Sequence, residues 1–177
     1  MKTSFALLLA CALAIPSLAQ STPTNAAAQP TNHRVKLFVL VLPLSAATVT
    51  APFILTNGCL SQPERTELPD GGKAVINFNI PQAGNYVLYA LVNAPGEDAN
   101  SFYVNVDAPP EDPAMIWDID VTNGFEERTV NWRGKGTAES DEIVPKCFNL
   151  SAGAHKLIIV GREPAELKRI IVRPAAN

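Results

Sequence analysis

From Val35 onward the chain is a succession of short apolar stretches, each cut off by proline, glycine or asparagine before it reaches helical length. Ile76, Phe78 and Ile80 alternate with Asn77 and Asn79, a period of two that turns one face to a core and the other to water. Pro81 to Asn85 reads as a turn and Tyr86 to Val92 as a returning strand, so the two predict a hairpin. Phe102, Val104 and Val106 alternate with Tyr103, Asn105 and Asp107 in another half-buried strand. Val130 and Trp132 mark a further strand, and Cys147 to Leu150, Lys156 to Val160 and Arg169 to Val172 are the last three. Val35 to Leu44 reads as a buried strand interrupted at Pro43. No segment sustains a 3.6-residue apolar period, and no internal repeat is visible. About seven or eight short strands at regular spacing predict an all-β antiparallel sandwich.

Composition narrows the chemistry. The 177 residues suit one domain with an ordinary hydrophobic core. Fifteen prolines and ten glycines stand against only two histidines, which leaves little material for a histidine-rich zinc site, and no metal or cofactor is expected. Seventeen acidic against 14 basic residues give a formal net charge of −3, so nothing favours counterion-release binding to nucleic acid.

The N-terminal segment reads as an address. Lys2 supplies a positive start, Phe5 to Ile15 an apolar run, and Ser17-Leu18-Ala19 the small residues of a cleavage site, so residues 1–19 are expected to be an export signal. The run is too short to span a bilayer. Leu8-Leu9-Ala10-Cys11 also resembles a lipobox, which leaves a lipoprotein anchored at Cys11 as the minor alternative. Residues 20–34, polar and without a large apolar side chain, read as a disordered spacer ahead of a domain over 35–174. Cleavage after Ala19 leaves Cys59 and Cys147, an even pair in an oxidising compartment, and a disulfide is the expectation. The alternative is two unpaired thiols acting as small hydrophobes.

Catalytic constellations are sparse. His33 lies in the spacer and His155 in an apparent turn, so neither is placed as the base of a nucleophilic triad. There is no phosphate-binding glycine loop and no Gly-x-Ser-x-Gly elbow. Nine of the 17 acidic residues fall between Glu111 and Glu142, which reads first as solvated loop charge. Asp118, Asp120, Glu126 and Glu127 lie near aromatic residues and keep a two-carboxylate glycosidase as a remote alternative.

A sugar presents flat C–H faces and a ring of hydroxyls, which an aromatic plane flanked by planar donors and acceptors can take up. Trp117-Asp118 and Trp132-Arg133 each set an indole beside a charged fork. The indoles would stack while Asp118, Arg133 and Asn100 bond hydroxyls. Each has a bland reading as well: core packing for the indoles, turn chemistry for Asn100.

The order Ile80-Pro81-Gln82-Ala83-Gly84-Asn85-Tyr86, Asn100-Ser101-Phe102-Tyr103-Val104, Trp117-Asp118, Leu150-Ser151-Ala152-Gly153-Ala154-His155 and Gly161-Arg162-Glu163 resembles the galactose-binding-like β-sandwich modules of bacterial secreted proteins. Carbohydrate-binding modules appended to glycoside hydrolases are their best-known relatives. The resemblance covers about Ala51 to Arg173 and implies a jelly roll with ligands at the loops of one end or on a concave sheet face. Related modules often hold calcium through a Glu-x-Glu on the first strand and an Asp on the last. The matching segments here, Thr50 to Ile54 and Leu167 to Ile170, carry no carboxylate and place Lys168 where the Asp is expected, which argues against that metal. The expected disulfide would then supply the missing cross-link near the first strand. The resulting expectation is an exported, monomeric, non-catalytic β-sandwich that binds polysaccharide or cell-envelope glycan. The alternative is a structural or adhesive sandwich with no small ligand.

Overall fold

The computed structural model describes residues 38–134 and 145–176. The expected signal (1–19) and spacer (20–34), together with Cys11 and His33, lie outside these residues, as do Glu139, Asp141 and Glu142.

Twelve strands and one 3-10 turn, Leu44–Ala46, make up the regular structure of the described residues, in two antiparallel sheets. The first sheet is built around β6 (Gly84–Asn93), which pairs from Tyr86 to Asn93 with β12 (Glu166–Pro174). On the other edge of β6 lie β10 (Cys147–Leu150) beside its first half and β9 (Glu126–Thr129) beside its second. The far edge of β12 carries β1 (Leu40–Pro43) and β4 (Cys59–Ser61), with β3 (Ile54–Thr56) beyond. The second sheet runs in the order β2 (Thr48–Thr50), β5 (Lys73–Ile80), β11 (Gly153–Gly161), β7 (Ser101–Val106), β8 (Ile116–Asp118).

Period-two alternation fills the space between the sheets. Ala74, Ile76, Phe78 and Ile80 of β5 face Tyr86, Leu88, Ala90 and Val92 of β6 across one core, which also takes in Phe102 and Ile159. Each fully buried side chain of this size contributes about 1.5–3 kcal/mol relative to an exposed one. On β12 the inward residues Leu167 and Ile170 are three apart, which breaks the alternation. A register shift between Leu167 and Arg169 restores it, the one-residue bulge that such spacing requires.

Several sequence expectations change in three dimensions. β5 and β6 do not pair with each other, because β5 belongs to the second sheet and β6 to the first. The segment Pro81 to Ala83 is therefore a corner between layers, held by the buried Tyr86, whose hydroxyl donates to the Gln82 carbonyl at 2.7 Å. β7 is buried on both faces. Tyr103 is 1% exposed in a second apolar cluster with Ile116, Ile158 and Val160, closed over by Leu68 on the outer side of the sheet. β1 is an edge strand and not a buried one: Val41 is 50% exposed, and Val39 just before the strand 46%. Strand structure ends at Thr129 and does not extend to Val130 and Trp132. Thr50 to Ile54 is not one first strand: Thr50 ends β2, residues 51–53 make a turn, and Ile54 opens β3.

Cys59 and Cys147 are both free thiols. They sit on β4 and β10, with β12 and β6 between them. Three strand spacings of about 4.8 Å separate them by roughly 14 Å, beyond the ~6.8 Å Cα reach of a disulfide. The expected bridge is incompatible with this topology. Burial, with help from Glu166, pushes the Cys59 thiol above its ordinary pKa.

No helix among the described residues is long and apolar enough to cross a membrane.

Candidate functional site

Antiparallel pairing brings the ends of β6, β8 and β11 and the starts of β7 and β12 to one end of the sandwich. Three of the six ion pairs among the described residues gather there. Asn100 precedes β7 and Ser101 opens it, Asp118 closes β8, and Arg162 and Glu163 lie in the turn from β11 to β12.

Glu163 is the hub. It is 2% exposed, and a buried carboxylate is stable only if its oxygens are fully bonded. Oε2 accepts from Ser101 Oγ at 2.6 Å and from the Asn100 N–H at 3.2 Å. Oε1 accepts from Arg162 at 2.6 Å and from Arg65 at 3.2 Å. Arg162 also donates to Ser101 Oγ at 2.6 Å. The loop that delivers Arg65 is shaped by Gln62, a buried amide that donates to the Glu64 carbonyl and Thr66 Oγ1 and accepts from the Gly72 N–H. Gln62 packs where a Cβ on residue 161 would stand, so this close approach needs Gly161.

A second pair borders the hub. The Arg133 N–H donates to the Ile116 carbonyl at 2.8 Å and the Ile119 N–H to the Asn100 carbonyl at 2.9 Å. These bonds fix the guanidinium against Asp118, to which it donates twice, at 2.8 and 2.6 Å. A two-pronged guanidinium–carboxylate pair is both strong and directional. Between this pair and the hub lies a recess of about 170 Å³, whose lining includes Arg65, Asn100, Asp118, Arg133 and Glu163. Glu97 closes the rim and accepts from the Asn100 amide at 3.3 Å. Three of the five residues expected from sequence, Asn100, Asp118 and Arg133, are thus brought together.

Neither a protein-family model nor a curated protein matches the sequence. Among solved structures, the chain is similar to a family 35 carbohydrate-binding module from Clostridium thermocellum, with a TM-score of 0.50 and 12% identity over 78% of this chain and 99% of that one. It is also similar to a GH26-CBM35 β-(1,4)-mannanase from Podospora anserina, with a TM-score of 0.54 and 12% identity over 78% of this chain. The chain spans 28% of the mannanase's length. This chain has the β-sandwich fold of a carbohydrate-binding module.

The sandwich does not present its indoles as the sequence suggested. Trp117 lies in β8 and is 1% exposed, with its ring 6.0 Å from that of Phe102 and its Nε1–H bonded to the Thr129 carbonyl at 3.0 Å. A side chain so enclosed has no face to offer a sugar. Trp132 is half-buried, with Nε1–H on the Val104 carbonyl at 2.8 Å, Phe148 edge-on to its ring and the Lys146 ammonium 3.8 Å from its centroid. Both indoles satisfy their one donor on backbone inside the sandwich, as buried tryptophans do.

Sequence reasoning missed Arg65, Arg162 and Glu163 as site residues. Gly161-Arg162-Glu163 stood out only as part of the resemblance, since nothing local says that a glutamate in a turn will be buried. Among the described residues no three His, Cys, Asp or Glu side chains gather as a metal site. Lys168 lies over the Phe125 ring at 3.8 Å.

At the opposite end of the module, His155 is a buried residue of β11 and not a turn residue. Its Nδ1 lies 2.7 Å from Asp107 Oδ2 and its Nε2 2.8 Å from the Ser151 carbonyl oxygen. Both partners only accept, so both ring nitrogens carry protons when the clasp is complete. Burial of the ring opposes that charge, but the bonds to Asp107 and Ser151 outweigh it and hold the His155 pKa above its ordinary value. For Asp107 burial is likewise outweighed, by bonds from His155 and the Lys156 N–H, and its pKa stands below the usual range. The stability from His155 is therefore present below about pH 6.5 and lost as pH rises through the raised folded value. That from Asp107 is present above about pH 3.9 and lost as pH falls through the lowered one. Asp107 is half exposed, so solvent screening holds the clasp to at most about 1 kcal/mol. Melting is expected about 2–4 °C higher at pH 5.5 than at pH 9 through this clasp, with a smaller difference in Asp107→Asn. Identical pH profiles for parent and variant would count against it.

Proposed function

We propose that the module binds carbohydrate without acting on it, in the recess between Glu163 and the Asp118–Arg133 pair, and that it does so as an exported protein. The observation that carries this reading is the convergence of planar donors and acceptors, already fixed by one another, on one open recess at the loop end. A sugar hydroxyl both donates and accepts, and guanidinium edges beside carboxylate and amide oxygens suit both roles. Because the side chains are held before any ligand arrives, little further ordering opposes binding. The shared fold with a carbohydrate-binding module supports the same reading.

The glycosidase alternative finds less support. Asp118 is held by Arg133, Glu126 by Arg128 at 2.8 Å and Glu127 by Arg173 at 2.8 Å, so three of the four carboxylates considered are occupied by guanidinium groups.

Retention on polysaccharide gels and glycan arrays tests the proposal. Arg65 is 56% exposed at its side chain, so Arg65→Ala leaves the fold intact. Together with Asn100→Ala it is expected to weaken binding about tenfold or more, the loss of a hydrogen bond to a charged group. Failure of the parent protein to bind any glycan would favour the structural or adhesive sandwich. Turnover of a chromogenic glycoside, abolished in Asp118→Asn, would favour the hydrolase.

A further inference from the structure

The recess has a neighbour. On the other side of Asp118 lies a second hollow of about 140 Å³, whose lining includes Ile119, Asp120, Arg128, Thr129 and Asn131. Asp118 lines both. Paired with Arg133 and 10% exposed at its side chain, it is the residue on which the two hollows meet. Either hollow is small for a ligand site, while the two together reach the lower end of the ~300–1,000 Å³ range of small-molecule sites.

The second hollow carries an unbalanced donor. Arg128 uses Nη2 on Glu126, but its Nε–H is buried and has no hydrogen-bond partner among the described residues. Buried donors are nearly always satisfied, and one that is not calls for an explanation. Arg128 pairs with Ala90 across β9 and β6, and Ala90 faces the core, so the guanidinium enters from the inner side of the sheet. The Arg128 side chain, 31% exposed, lines the hollow together with Asp120 and Asn131, which sets its guanidinium beside any hydroxyl lodged there.

Charge selects the ligand class. Arg65, Arg133 and Arg162 in the first recess are matched by Glu97, Asp118 and Glu163, so there is no surplus positive charge for an acidic sugar. In the second, Asp120 stands against Arg128, since Asp118 is already paired with Arg133. We infer that the site takes a neutral oligosaccharide of at least two adjacent rings, one in each hollow, with the linkage passing over Asp118. This rests on the reading of the first recess as a carbohydrate site.

Calorimetric titration with neutral monosaccharides (glucose, mannose, galactose), their β-linked disaccharides and a glucuronate-containing disaccharide tests it. The matching neutral disaccharide is expected to bind at least about tenfold tighter than its monosaccharide and tighter than the glucuronate compound. Arg128→Ala is expected to remove that tenfold gain while leaving monosaccharide affinity unchanged. Thr129→Ala, a smaller change on the same strand, is a second probe, and melting temperatures confirm that both variants fold. Equal affinity for one ring and two, or a disaccharide affinity untouched in Arg128→Ala, would overturn the two-ring inference and leave the first recess as a sugar site. Tighter binding of the glucuronate compound would overturn the neutral assignment. Absence of binding by every glycan would overturn the underlying reading as well.

Discussion

Trp117→Ala is expected to lower the unfolding free energy by about 3–5 kcal/mol, the range for removing a fully buried aromatic side chain. The indole is 1% exposed in the main core, and β8 has only three residues with which to hold its edge position beside β7. Truncation opens a cavity beside Phe102 and leaves the Thr129 carbonyl without its donor. Trp117→Phe restores part of the volume but not the bond, and a smaller loss is expected from it. Denaturant titration of the two variants checks this. A loss below about 1 kcal/mol for the alanine variant would mean that the indole is not a core residue.

Glu163→Ala should be nearly as damaging, by about 3 kcal/mol or more, for an electrostatic reason. The substitution removes the acceptor for Ser101 Oγ, the Asn100 N–H, Arg162 and Arg65 at once. The Arg162 side chain, 12% exposed, is left as a poorly solvated cation without its carboxylate. Breaking a buried pair by deleting one partner is far costlier than never having built it. For a chain of this size about 3 kcal/mol corresponds to roughly 6–12 °C in Tm. Glu163→Gln keeps the shape and is expected to fall between parent and alanine variant. Arg65→Ala, at the exposed edge of the same cluster, should move Tm little. A Glu163→Ala protein melting within about 2 °C of the parent would refute the hub.

Which residues face inward was largely legible in the amino-acid order. Ile76, Phe78 and Ile80 alternate with asparagines, Phe102 and Val104 with polar neighbours, and all of these apolar residues meet in one core. Partnership between strands was much less legible. The turn at Pro81 to Ala83 looks the same whether the chain folds back on its own sheet or crosses to the facing one, and only the pairing of β6 with β12 distinguishes the two. The outer cluster of Tyr103 with Ile158 was hidden for a similar reason, since Leu68 comes from a distant loop.

The site shows the same division. Asn100, Asp118 and Arg133 could be picked out because planar polar groups beside aromatic residues suit hydroxyl chemistry, whereas the aromatic residues themselves turned inward. The pairing expected of Cys59 and Cys147 rested on their even number, which carries no information about the strands between them. Local order determined the all-β character, the alternation and the corners of this protein, because period, turn chemistry and burial preference act over a few residues. Tertiary structure decided the strand partners, the unpaired thiols and the meeting of Arg65, Asp118 and Glu163 at one end, because a buried carboxylate is tolerable only where residues far apart in the chain arrive together to bond it.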